Sequence, residues 1–256
     1  MSDAPLLLLH AGASSSTQWA PFRRRLGQTH RVLAPDLHGH GETPAPPNLA
    51  LDGVIPAQVA DLLPLLDTYA KPADVVGHSY GGAIALFLAL AAPGRVRSLL
   101  LIEPPLFTLL DQPDDAPLLD EIRSLEAENL AALDRGDAED ATKRFVRYWS
   151  GDALWHALPD AFRAPLYRGA ELRHRRGIAA MFVAALPDDV GERLRIPVTL
   201  LTGTRSPAPA RRITERLANR LPTAHLVTIA DAGHMLPGTH AREFVAALQI
   251  HLAAAR

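Results

Sequence analysis

Three short stretches of the chain carry residue types that together can move an acyl group. Gly77-His78-Ser79-Tyr80-Gly81 sets a serine between two glycines. A serine hydroxyl is a weak nucleophile until a neighbouring base takes its proton. Ala232-Gly233-His234 offers that base, because an imidazole with a pKa near neutrality can accept the serine proton and return it to a leaving group. Leu9-His10-Ala11-Gly12-Ala13 is a turn that can aim a backbone N–H at a carbonyl oxygen. Gly12 is the preferred donor and Ala13 the alternative. The N–H of Tyr80 would supply the second donor, and His10 is expected to brace the loop.

The elements around these stretches are what give them meaning. Pro5–Leu9, Arg31–Ala34, Asp74–Val76, Val96–Ile102, Val198–Leu201 and Leu226–Ile229 are short apolar runs of strand length. Helical patterns separate them: Trp19, Phe22 and Leu26; Val59, Leu62, Leu63 and Leu66, with a kink expected at Pro64; Gly81–Ala92; and Ala241–Leu252. Ser206-Pro207 reads as an N-cap with proline at the first helical position. Continuous apolar strands alternating with helices predict a parallel sheet covered on both faces. Ser79 then falls between a strand and a helix, where a strained turn lifts the hydroxyl above the sheet edge. A glycine-rich turn with an incidental serine, or a merely capping His234, does not account for that context. His240 belongs to the start of the closing helix.

From about Phe107 to Val190 no strand pattern appears, and helix-like stretches cluster at Leu118–Leu133, Ala138–Trp149 and Ala164–Leu186. The expected organisation is a core of residues 1–106 and 191–256 interrupted by a helical cap at 107–190. Phe145, Trp149, Trp155 and Phe182 are the pocket candidates in that insertion, although such aromatics can equally pack cap helices onto one another. The run Arg173-His174-Arg175-Arg176 reads most simply as a solvated face, with recognition of an acidic substrate as the rival reading.

On these motifs the chain resembles the α/β-hydrolase superfamily, in its serine-nucleophile branch, over nearly its whole length. The carrying residues are His10-Ala11-Gly12 with Trp19, Asp36-Leu37-His38-Gly39-His40-Gly41-Glu42-Thr43, Gly77–Gly82 and Asp231–His234. Ala11 departs from the His-Gly usual there. The resemblance implies a mostly parallel eight-stranded sheet, of which this chain is expected to lack the first two strands. It also implies a triad acid just after the strand that follows the cap, where this chain has Ser206. A hydroxyl can orient an imidazole but cannot neutralise its charge. Glu103 is the candidate instead: it ends an apolar strand that in the family lies beside the nucleophile strand, where some members, such as haloalkane dehalogenases, carry their acid. A carboxylate buried there needs a partner. An ion pair with an arginine, or a triad acid such as Asp111, are the alternatives.

Composition narrows the rest. Of 256 residues, 48% are hydrophobic and 21% charged, and the net charge of −2 gives no electrostatic footprint for nucleic acid or an anionic membrane. No cysteine is present, which removes disulfides, thiolate nucleophiles and Cys-based zinc sites and fits a cytoplasmic location. The start of the chain lacks the basic region of a signal peptide. His38-x-His40 has metal-ligand spacing but no carboxylate cluster beside it, so no metal and no cofactor are expected. The expected partner is a small-molecule substrate, with the oligomeric state left open. The resemblance implies a carboxylesterase-like serine hydrolase. A lactonase, a C–C bond hydrolase and a cofactor-free perhydrolase would use the same residues, and a non-catalytic ligand-binding module is the reading from a different class.

Overall fold

A computed structural model describes residues 4–255 of the chain. Strands β1 (Pro5–Leu9), β2 (Arg31–Leu33), β3 (Ala73–His78), β4 (Val96–Ile102), β5 (Val198–Gly203) and β6 (Ala224–Ile229) form one sheet in the order β2-β1-β3-β4-β5-β6. Every neighbouring pair is parallel. All six expected strands are present at or within two residues of the expected bounds.

Alternate residues of each strand bury themselves on opposite sides. Leu7, Leu9, Val75, Leu99, Leu101 and Leu200 join one core with Ile84 and Leu88 of α3 (Tyr80–Ala91) and Val59 and Leu62 of α2 (Val54–Asp67). Leu6, Leu8, Val76, Leu100, Ile102 and Leu201 join the other, with Phe22 and Leu26 of α1 (Ala20–Leu26) and Phe244 and Leu248 of the closing helix Ala241–Ala254. Each such leucine contributes about 1.5–3 kcal/mol on burial, so the two-residue period alone commits the sheet to helices on both faces. Helix α2 runs on through Pro64 to Asp67.

The order of the strands locates a site. After β1 the chain moves outward to β2, then returns to lay β3 on the other side of β1. Parallel sheets leave a crevice at such a reversal, above the carboxyl ends of the two strands. Here those ends are His10 after β1 and Ser79 after β3.

Between β4 and β5 the chain is helical. The main elements are α4 (Ala116–Asp134), α5 (Ala138–Ser150), α6 (Asp152–Ala157) and α7 (Asp160–Arg168), followed by a π-helical turn at Arg173–Ile178. Among the described residues, no helix is long and apolar enough to cross a membrane. The helix after β5 begins at Ala208 with Pro207 at its N-cap, so Ser206 is not the cap expected from sequence. Its side chain is buried instead beside Glu103.

Candidate active site

Ser79 adopts φ 52° and ψ −121°, a conformation rare for a residue with a side chain. The surrounding packing enforces it. Ser79 N–H donates to Ile102 O (2.8 Å), and Gly82 N–H and Ala83 N–H donate back to Ser79 O. The flanking glycines permit the turn because a Cβ on Gly77 would lie 2.4 Å from Gly81 O, and one on Gly81 2.5 Å from Leu9 O. Glu103 (φ 45°), after the adjacent β4, and Asp231 (φ 60°), after β6, also have positive φ.

His234 Nδ1 donates to Glu103 Oε2 at 2.6 Å, with both residues buried. The other carboxylate oxygen accepts from Thr202 Oγ1 (2.7 Å) and Gly203 N–H (3.0 Å). Burial alone would raise the Glu103 pKa. The hydrogen bond and charge of His234, helped by Ser206 and Thr202, outweigh it and hold the carboxyl well below the usual range. Ser206 Oγ itself makes no hydrogen bond of normal geometry. Asp111 is exposed. His234 Nε2 makes no hydrogen bond among the described residues, so one ring nitrogen is left for a proton from elsewhere. Among the described residues no hydrogen bond joins it to Ser79 Oγ; contacts of this kind tighten as the transition state forms.

A relay that sequence reading missed ties the His234 loop to the strand that precedes Ser79. Ala11 N–H donates to Gln18 Oε1 (3.0 Å), Gln18 Nε2 donates to His78 Nδ1 (3.1 Å), and His78 Nε2 donates to His234 O (2.9 Å). The rings of His78 and His234 lie 5.0 Å apart. Burial, and secondarily His234, push the His78 pKa down to about 3. His78 is therefore neutral, as one donating and one accepting nitrogen require. This chain of bonds ties the loop after β1, the end of β3 and the His234 loop together. The only sequence signal was that His78 occupies a variable position of the serine motif.

The two expected N–H donors are neighbours: a Cβ on Gly12 would sit 3.4 Å from Tyr80 Cβ. Neither N–H is engaged by another backbone or side-chain acceptor among the described residues, whereas Gly81 N–H is taken by His10 O (3.1 Å). His10 braces the loop as expected, accepting from Leu37 N–H (3.0 Å) at Nε2 and donating to Ala11 O (2.8 Å) at Nδ1. His40 Nε2 donates to Gly12 O (2.6 Å), fixing the peptide that follows. His38 Nε2 is instead engaged by Asp61 (2.7 Å). Among the described residues no group of three potential ligands could hold a metal ion.

Ser79, Tyr80 and Gly12 open into a cleft of about 720 Å³, counting its mouth, lined further by Phe107, Phe145, Trp149 and Met181. His234 lines an adjoining cleft. Trp149 borders both, its ring 4.9 Å from that of His234. Phe145 and Trp149 thus line the cleft that holds Ser79. Trp155 does not: it is buried against Tyr167, with the Arg163 guanidinium 4.7 Å over its ring. Phe182 stacks on Phe107 at 4.6 Å and does not reach the cleft. The solvated-face reading of the basic run also fails in part. Arg173 and His174 are buried, and Arg173 and Arg176 line the cleft, because the π-helical turn carries them inward.

Comparison with known proteins gives a consistent outcome. A family model described as "Alpha/beta hydrolase family" matches residues 6–248. A pimeloyl-[acyl-carrier protein] methyl ester esterase of Neisseria meningitidis serogroup C is 27% identical over 258 aligned positions, covering 96% of this chain and 93% of the relative. Lipase LipV of Mycobacterium tuberculosis is 38% identical over 102 residues, but these are only 40% of this chain and 37% of the lipase. A crystal structure of a hydrolase from Pseudomonas aeruginosa superposes with a TM-score of 0.75 at 24% identity, covering 98% of this chain and 91% of that one.

Proposed function

Since the chain belongs to the alpha/beta hydrolase family, we propose that it is a serine hydrolase cleaving a carboxylic ester through an acyl-enzyme, with Ser79, His234 and Glu103 as its triad. The observation that carries this reading is the 2.6 Å contact from His234 Nδ1 to Glu103, which leaves Nε2 available for the serine proton. Ser79 Oγ attacks the ester carbonyl and passes its proton to His234 Nε2. Glu103 fixes the tautomer and offsets the charge of the imidazolium. The N–H groups of Gly12 and Tyr80 hold the oxyanion, and the first turn of α3 adds its positive end.

Collapse of the tetrahedral adduct breaks the bond to the alcohol oxygen, which leaves with the proton from Nε2. A water molecule then loses a proton to His234 and attacks the acyl carbon, releasing the acid and restoring Ser79. Residues 107–190 act as a cap in this reading. Phe145 and Trp149 supply apolar walls that exclude bulk water. Hydrolysis of p-nitrophenyl esters across acyl lengths tests the proposal. Turnover by the native chain with its loss in Ser79→Ala is expected, and equal turnover by both would remove it.

A further inference from the structure

A buried arginine, Arg173, and a half-buried one, Arg176, line the cleft and leave room for a counter-charge. Arg173 is 5% exposed and lines the cleft that holds Ser79. Its terminal nitrogens donate to neutral groups, Thr142 Oγ1 (3.1 Å) and Leu166 O (3.3 Å), while its Nε is buried with no partner. Arg176, three residues on, lines the same cleft and, among the described residues, donates to Pro46 O (2.7 Å). Arg175, between them, faces outward and pairs with Asp134 and Glu171. Among the described residues no carboxylate pairs with Arg173 or Arg176. Glu126, whose charge is felt at Arg173, is itself hydrogen-bonded to His174 Nδ1 at 2.8 Å.

A guanidinium stays charged even where burial, against the opposing charge of Glu126, pulls the pKa down to about 10, as it does for Arg173. Glu126 acts on Arg173 through its charge but makes no hydrogen bond or ion pair with it, so the buried guanidinium keeps capacity for a directly bound anion. Contacts lead from this charge to the triad. The Arg173 guanidinium lies 5.2 Å over the Phe145 ring, Phe145 packs on Trp149 at 6.3 Å, and Trp149 packs on His234 at 4.9 Å. On the other side, Arg173 acts electrostatically on His40, which holds Gly12. The rest of the lining is mostly apolar.

We propose that this cleft selects esters that carry a second, free carboxylate, bound by Arg173 with Arg176 on the same helical turn. The proposal rests on the reading of Ser79 as the nucleophile. Planar guanidinium donors match a carboxylate two-pronged, and the apolar walls take the connecting methylenes.

The test compares kcat/KM for monomethyl esters of five- to seven-carbon dicarboxylic acids with methyl esters of the matching monocarboxylic acids. Acetate esters of ω-hydroxy acids against those of plain alcohols cover the opposite placement of the charge. The native chain is expected to favour the anionic member of at least one series by about tenfold or more. Arg173→Met should abolish that ratio and Arg176→Met should narrow it. Equal or better turnover of the neutral esters in both series overturns the proposal. So does a parallel loss on both members in Arg173→Met, which would mark this side chain as a staple of the helical segment. Where Arg173→Met fails to fold, Arg176→Met decides, and an unchanged ratio there overturns the proposal. A native chain that hydrolyses no ester and takes no fluorophosphonate label overturns the hydrolase reading itself.

Discussion

Glu103 and His234 stand 131 positions apart in sequence, yet the carboxylate of one accepts a hydrogen bond from the imidazole of the other at 2.6 Å. The contact exists because β4 runs beside β3 and ends one residue short of Glu103, whose φ of 45° swings its side chain toward the histidine loop. Glu103→Gln keeps the shape but cannot balance an imidazolium. It should fold normally and lose about 10²–10⁴ in kcat toward a simple ester. Steady-state kinetics beside a urea unfolding curve checks this, and near-native turnover would remove Glu103 from the triad.

The relay from Ala11 through Gln18 and His78 to His234 O makes Gln18 and His78 positioning residues. His78→Ala would leave the His234 carbonyl without its donor and loosen the imidazole. We expect kcat to fall by about 10–100-fold with KM little changed, because a misplaced base costs rate more than ground-state binding. Gln18→Leu should act in the same direction more weakly. A change confined to KM would contradict this role.

The nucleophile turn is predicted to tolerate no added methyl group. An alanine at position 81 would bring its Cβ to 2.5 Å from Leu9 O and 2.6 Å from His10 O, both unyielding backbone atoms. Gly81→Ala should cost about 3 kcal/mol of stability. Gly94→Ala, whose Cβ meets nothing within 4 Å, should stay within about 0.5 kcal/mol of the native chain. Urea midpoints of the two variants make the comparison.

Three histidines should make the fold acid-sensitive. Burial, in each case the leading cause, lowers the pKa of His10 to about 4, of His78 to about 3 and of His251 to about 4. His251 is locked below the sheet, with Nδ1 at Thr199 Oγ1 (2.8 Å) and Nε2 at Ser98 Oγ (3.0 Å), while Ser98 donates its proton to Asp74 (2.6 Å). That serine–histidine contact is structural, since the hydroxyl proton is already committed to a carboxylate. Unfolded, each imidazole regains its ordinary pKa and binds a proton that the folded chain refuses. Stability is therefore full above neutrality and falls as pH drops from about 6.5 toward 4, with a slope approaching about 4 kcal/mol per pH unit. Glu103 adds a further loss at lower pH, as its depressed carboxyl is finally protonated. Urea midpoints between pH 8 and 5 measure the trend, and a flat profile would contradict it.

The strands and the three residues of the proposed triad were legible because each is announced locally. Ser79 sits between glycines after an apolar run, His234 follows the last run, and Glu103 is a lone charge at the end of another. The six strands followed from the same runs, whose alternate residues feed two cores. What could not be read was how side chains from separate elements meet. Nothing local tells that His78 reaches His234, since the contact spans 156 positions and depends on the twist of the sheet. The basic run at 173–176 looked like a solvated face because an ordinary surface helix carries such runs. A π-helical turn changes which members point inward, and no residue in it advertises that. Trp155 and Phe182 were aromatics in the right segment, but packing against Tyr167 and Phe107 claimed them first.

The central claim is that Ser79 is a nucleophile whose proton is taken by His234. Reaction with a fluorophosphonate, followed by mass spectrometry of the labelled peptide and by the labelling rate in His234→Ala, addresses it directly. A single adduct on Ser79, formed at least about 100-fold more slowly in the variant, is the predicted result. An adduct on another residue, or equal rates with and without the imidazole, would contradict the account.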